Sequence, residues 1–482
     1  MNSRSAFYLG IDQGTQSSRA IVFDQHGDIV SRAHVKVGIQ TLPNQFVEQD
    51  GNEILQSIET CLASVFREIK PEAVHSAGLA TQRSSVIAWD KQTGEVFCKL
   101  ISWRDRRAAD FVATLHSHEA EIEAKSGLKL TPYYGASKLR WLLQNNQKIQ
   151  LALKNDRLHL GPLATYLINR ICQSQPYLVD HANALRMQLL NRSSLTWDSE
   201  LCDWFEVPAK QLPEPVDTNY HYGNLRHTDI PLNAVNGDQT AAMYSQGNIQ
   251  PGEVLVNLGT GGFVLSPVDQ EAEIPDGLLG GLSMSHGHDV TRLIEGTING
   301  CGSALNWFKK TVKYAGQFDL DHCINSSRGE LLFMNGINGL GSPIWKDIDN
   351  QFIHTESLVQ VENPALDQAV AAIIESILFL VRLNITRMNS VVVVRSIRLS
   401  GGLSNSQCLC QHLADLCGLE VSRPDITEAT ARGVAWLAGS RTHGWPTGAA
   451  TMTFSPRREI KLEDRYQSFI RVLYRQTGFS PG

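Results

Sequence analysis

The chain has 482 residues, too many for one ordinary hydrophobic core, so two large domains are the starting expectation. Its 43 Lys and Arg are outweighed by 49 Asp and Glu, giving a formal charge of −6 with both signs interspersed, which offers no basis for a nucleic-acid or membrane partner. A basic-then-apolar leader is missing, and the best apolar run, Ala369 to Leu383, is short and carries Glu375 and Arg382, so a soluble cytoplasmic protein with reduced thiols is expected.

Phe7 to Ile11 and Ala20 to Phe23 read as β-strands joined by polar Asp12, Gln13, Gly14, Thr15, Gln16, Ser17 and Ser18. Such a turn can hold a phosphate on its amides and on the hydroxyls of Thr15 or Ser17. Asp12 at the strand end can hold Mg²⁺, directly or through water. The same residues also suit an ordinary hairpin. Asp24 to Asp28 reads as the next turn and Ile29 to Val37 as a third strand; Gly51 to Ile69 carries a helical apolar stripe. Ser76 to Arg83 reads as a buried strand ending in polar residues, which places Gln82 and Arg83 where open α/β sheets bind ligands.

In Ile101 to Arg107, Trp103 can cover the carbon face of a small polyol, while Asp105 and the arginines bind hydroxyls or fix the loop. An ion-paired surface turn explains the same spacing. Pro132, Tyr133 and Tyr134 precede a helical Ser137 to Leu143 segment, where packing and ligand roles both fit the tyrosines. Asp238, at a glycine turn opening a small-residue helix, is either a base beside a substrate hydroxyl or an N-cap.

The second half repeats the opening: a strand over Glu253 to Leu258, a phosphate-sized Gly259-Thr260-Gly261-Gly262 turn, and a returning strand from Phe263 to Pro267. The repeat suggests duplicated domains facing one another across a cleft. The helix through Gly302 and Asn306 is rich enough in small residues for a flat ring to approach its backbone. Asn363 and Pro364 predict the N-cap and first turn of a long helix reaching Asn389, and Val391 to Leu399 reads as a buried strand. That strand leads through Ser400, Gly401 and Gly402 into a helix whose free first-turn amides suit an anion or nucleotide. Cys408, Cys410, His412 and Cys417 share that helix at spacings that cannot converge on one tetrahedral ion. Glu428 to Gly439 reads as a last helix, its small residues suited to tight packing.

Taken together, Leu9 to Ala20, Gln82-Arg83, Trp103 with Arg106-Arg107, Pro132-Tyr133, Gly237-Asp238-Gln239, Gly259-Thr260-Gly261, Gly302 to Trp307, Ser400 to Gly402 and Glu428 to Gly433 resemble the FGGY carbohydrate kinases, with the glycerol-phosphorylating branch nearest. The resemblance implies an α/β protein with two actin-like, ribonuclease-H-like ATPase domains flanking a catalytic cleft. Residues 1–247 would form the substrate domain and 248–482 the nucleotide domain. By the same resemblance, Asp238 is the base and Asp12 lies near Mg²⁺. Gln82, Arg83, Ser84, Trp103, Asp105, Tyr133 and Gln239 hold a small polyol or sugar. Thr15, Gln16, Ser17, Gly259, Thr260, Gly261, Gly302, Asn306, Gly401, Gly402, Asn405 and Ser406 contact ATP. The family's frequent oligomers make a homodimer the expected state.

Two departures bear on the acceptor. The glycerol branch continues Gln-Arg with a glutamate where this chain has the shorter, neutral Ser84, while Asp105 makes a Trp-x-Asp-x-Arg pattern similar to the pentulose branch. A carboxylate moved from one position to the other predicts an acceptor larger than glycerol, with glycerol itself as the alternative. From other classes, an actin-like ATPase switch and a sugar-binding sensor without phosphotransfer remain as competing readings.

Overall fold

The computed structural model describes residues 7–44, 46–249, 252–327, 329–426, 428–439, 445 and 451–479. They form two compact units. The first comprises Met1–Ile249, Gly280–Arg292 and Ile426–Gly448; the second comprises Gln250–Leu279, Leu293–Asp425 and Ala449–Gly482. A single cut after residue 247 therefore leaves out two later segments that pack with the first unit.

The first unit is built on a five-stranded sheet in the order Leu232–Gly237, Val74–Thr81, Phe7–Gln13, Ser17–Phe23, Ile29–Lys36. The first three strands run parallel and the last three form an antiparallel meander. Thr81 pairs with both Gln13 and Gly237, so the three parallel strands finish level. Their next residues are Gly14-Thr15, Gln82-Arg83 and Asp238. Helix Gly51–Glu68 starts where Asp50 accepts the Asn52 and Glu53 amides, and it buries Ile54, Leu55, Ile58, Cys61 and Val65. Helix Ala429–Ala438 lies so close to the sheet that a Cβ at Gly10 or Gly78 would strike the backbone of Ala431 or Val434, and one at Gly433 would strike Ala241. Its small residues are what tie this late segment to the first unit.

In the second unit, Glu253–Leu258 is antiparallel to Gly262–Val268 and parallel to Ser396–Ser400, which continues into Glu420–Pro424 and Thr451–Phe454. The hairpin with a parallel neighbour repeats the arrangement of the first unit. Helix Leu366–Met388 forms the centre of this core. It is long and apolar enough to cross a membrane, but 89% of its apolar window is buried in protein. Two of its charges are paired with helix Ile460–Thr477: Glu375 accepts two hydrogen bonds from Arg465, at 2.9 and 2.6 Å, and Arg382 bonds Glu463. The helix begins later than Asn363 and Pro364 predict, with extended Ala365 at the N-cap. The expected strand from Val391 shrinks to Ser396–Ser400 because the amides of Val391 and Val392 turn back to the Met388 carbonyl and close the helix.

Candidate functional site

In the first unit the level strand ends gather charge. Asp12 accepts a 3.0 Å bond from Arg19, whose Nε lies 3.5 Å from Glu428. Burial is the main force pushing the Asp12 carboxyl up to about 7; Asp238 and Glu428 push the same way, and Arg19 opposes them. Asp12 and Asp238 therefore sense one another, and Asp238 lies at the strand edge that holds the first hairpin. Gly237 occupies the N-cap, so Asp238 is the first helical residue and not a cap; its Oδ1 accepts the Gln239 amide at 2.8 Å. Arg83 Nε stands 3.9 Å from the same oxygen.

Trp103, 38% exposed, donates its indole N–H to the Thr15 hydroxyl at 3.0 Å. Thr15 keeps its own O–H to donate elsewhere, so the hairpin and the aromatic platform are fixed to each other. Tyr133 is half-buried, with the Arg106 guanidinium 5.5 Å from its ring centre. Gln239 is half-buried, Gln16 exposed and Ser17 buried.

Three expected acceptor contacts need correction. Asp105 is fully buried and its carboxylate is committed: it accepts the amides of Val47 and Arg107 at 2.6 and 2.8 Å and grips the Arg107 guanidinium at 2.9 and 2.8 Å. Arg107 also reaches Glu48 and lies against the rings of Phe46 and Trp141. No oxygen of Asp105 is left for a substrate, so the idea of a relocated carboxylate fails. Gln82 is likewise inward, donating to Gln13 and Gln49 and accepting from Ser85. Ser84, with φ of 62°, directs its hydroxyl at the Arg186 carbonyl. Asp105→Ala is expected to cost about 3 kcal/mol by leaving the buried Arg107 guanidinium with Glu48 as its one carboxylate partner and the Val47 amide without its acceptor. Denaturant unfolding measures that loss, and the acceptor preference of the folded variant should not change.

Sequence reasoning missed Arg19, Glu428 and Lys138 as site residues. Lys138 is the third: its buried ammonium meets the carbonyls of Ser84, Trp103 and Tyr133. The available signal was a lysine on the apolar stripe of a helix, four residues before Leu142.

In the second unit, the Gly259-Thr260-Gly261 turn leaves Thr260 exposed. The carbonyls of Gly259 and Thr260 accept the amides of Gly302 and Ser303 at 2.9 and 3.0 Å, so the start of helix Gly302–Thr311 is docked on the turn. Asn306, one turn on, lines a cavity of about 400 Å³ with Lys309, Lys310, Lys313 and Tyr314. Gly401, at φ of 94°, sits against the Leu258 backbone where a Cβ would clash, while Gly402 faces open space and Asn405 is exposed. Ser406 must be corrected. It caps helix Gln407–Cys417 by accepting the Leu409 amide and donates to Asp321, which also accepts the Cys408 amide. Although burial works against it, the Asp321 carboxyl is held below its ordinary value by these donors, so an anion already occupies this helix start. Among the described residues no three His, Cys, Asp or Glu side chains converge to hold a metal.

The N-terminal domain of the FGGY family of carbohydrate kinases matches residues 7–241, and the C-terminal domain of that family matches residues 254–441. A glycerol kinase of Ectopseudomonas mendocina is 32% identical over 92% of this chain and 91% of its own; one from Streptococcus pyogenes is 29% identical over 92% and 89%. Among solved structures, the ADP complex of Plasmodium falciparum glycerol kinase superposes with a TM-score of 0.88 at 22% identity, covering 99% of both chains. A ligand-bound xylulose kinase of Lactobacillus acidophilus gives 0.83 at 18%, covering 98% of this chain and 99% of its own, which extends the likeness of fold to kinases of other sugars. With both of its domain models matched in order along the sequence, the chain belongs to the FGGY family of carbohydrate kinases, ATP-dependent phosphotransferases that act on alcohol groups.

Proposed function

We propose that the protein transfers the γ-phosphate of ATP to a hydroxyl of a small polyol or ketose longer than glycerol, with Asp238 as the base. The observation that carries this reading is the level finish of three parallel strands, which brings Asp12, Arg83 and Asp238 to one edge of one sheet. Phosphoryl transfer asks little covalent chemistry of a protein: an oriented hydroxyl, positive charge on the phosphate oxygens and a carboxylate to take the proton. Asp238 supplies the carboxylate and Arg83 a donor beside it. Trp103 supplies an apolar face, and Thr15 a hydroxyl bonded to that face. The nucleotide contacts in this reading are Thr260, Gly302, Asn306, Gly402 and Asn405.

Asp12 suits Mg²⁺. One carboxylate completed by water and phosphate oxygens is the set that ion takes, and a divalent cation would offset the cost of holding a buried Asp12 charge, to which Asp238 and Glu428 add. When bound, the ion would neutralise charge on the transferring phosphate.

The preference for a longer acceptor rests on Ser84, whose short neutral side chain leaves room and removes a charged grip. Without a carboxylate from Asp105, an added hydroxyl on the acceptor would have to find Arg83, Gln239 or backbone groups. The second reading, glycerol itself, is favoured by the glycerol kinases of 29 and 32% identity. A coupled ADP-release screen of glycerol, tetritols, pentitols, pentuloses and hexuloses with Mg²⁺ and ATP decides between them. The longer acceptors are expected to show the higher kcat/KM; turnover of glycerol alone would overturn the preference, and turnover of none would overturn the assignment of the pocket.

A further inference from the structure

We infer that Lys138 is a positioning residue of the acceptor pocket, one buried ammonium tying together the three loops that carry Arg83, Trp103 and Tyr133. Its Nζ donates to the carbonyls of Tyr133 at 2.6 Å, Ser84 at 3.1 Å and Trp103 at 3.3 Å. These carbonyls belong to segments 5, 54 and 35 residues away, which no single element of secondary structure connects. An ammonium has three N–H donors and no acceptor, so each proton has one loop to hold.

The placement is costly unless it serves something. Lys138 is wholly buried in the first turn of helix Gly135–Asn145, beside apolar Ala136, Leu139 and Leu142. Burial pulls its pKa down to about 7, with Asp105 pulling it back up and Arg107 pushing it further down. A leucine or methionine of similar length would fill the same space without that penalty, but it would leave three carbonyls without this donor. Each carbonyl belongs to, or adjoins, a residue of the proposed acceptor pocket: Ser84 follows Arg83, Trp103 carries the indole bonded to Thr15, and Tyr133 carries the ring beside Arg106. Lys138 touches no substrate itself and acts through these residues.

The inference rests on the acceptor-pocket reading, and the test separates the two. Lys138→Met, Lys138→Gln and Trp103→Ala are compared with wild type for KM of glycerol, erythritol and D-xylulose, KM of ATP, and melting temperature. In Lys138→Met the acceptor KM is expected to rise about tenfold, with the ATP KM unchanged, as loss of a charged hydrogen-bonding group implies. Lys138→Gln, which keeps two N–H donors on a shorter arm, should show a smaller rise in the same direction. A merely structural lysine would lower the melting temperature and leave both KM values alone, because KM does not depend on the amount of folded enzyme. An unchanged acceptor KM in folded Lys138→Met therefore overturns the proposal, as does recovery of both lysine variants only in unfolded form. If Trp103→Ala raises the acceptor KM while Lys138→Met does not, Lys138 alone is misassigned. If both are silent, the pocket reading falls with it.

Discussion

Asp238→Asn is expected to lower kcat by about 10² to 10⁴, the usual contribution of a positioned base. The substitution is nearly isosteric, and the remaining side-chain oxygen can still accept the Gln239 amide that Asp238 accepts at 2.8 Å, so the short helix Asp238–Ala242 should keep its start. What is lost is a group able to receive the acceptor's proton as the oxygen attacks phosphorus. Nucleotide affinity should hardly move, since Asp238 is not among the proposed ATP contacts. Steady-state kinetics and calorimetric titration with ADP check the two halves of this expectation. Full kcat in the variant would remove Asp238 from the chemistry and leave it as a charge that steadies Arg83.

The strands, the two glycine-threonine hairpins and the small-residue last helix were legible because each is a local pattern: alternation, a turn composition or a run of Gly and Ala. The level of the three strand ends was legible only in part. Sequence placed Gln82 and Arg83 at a carboxyl edge, but register between strands separated by scores of residues has no local signature. The misassignments share one cause. Asp105 is claimed by Val47, Glu48's partner Arg107 and that arginine's own amide, and Ser406 by Asp321, which lies 85 residues away. A polar residue beside a motif reads as a ligand until its distant partner is known. The valine run at 391–394 misled for another reason: β-branched residues also suit a loop that closes a helix, and Val393 is among the exposed apolar side chains.

Asp12→Asn is expected to abolish most activity and yet stabilise the protein at neutral pH. Burial, with Asp238 and Glu428 adding to it and Arg19 opposing it, raises the folded-state pKa of Asp12 from 3.8 to about 7. Between these values the folded protein keeps a proton that the unfolded chain has released, so the folded state binds more protons and stability falls as pH rises. The fall begins near pH 4 and levels off above about pH 7, where both states are ionised and the folded one bears the full cost of a buried charge. That cost is at most roughly 4 kcal/mol, counting about 1.4 kcal/mol for each unit of displacement, and solvent reaching the strand end reduces it. Asparagine carries no charge to bury, so the melting temperature of the variant should lack this component of the pH dependence and exceed that of wild type most clearly at pH 7 to 8, in metal-free buffer. Mg²⁺ with ADP should then raise the melting temperature of wild type more than that of the variant, because only the carboxylate gains a cation. A variant less stable than wild type at pH 8, or equally responsive to Mg²⁺ with ADP, would mean that Arg19 pays for the Asp12 charge in full and that the ion is held by other oxygens.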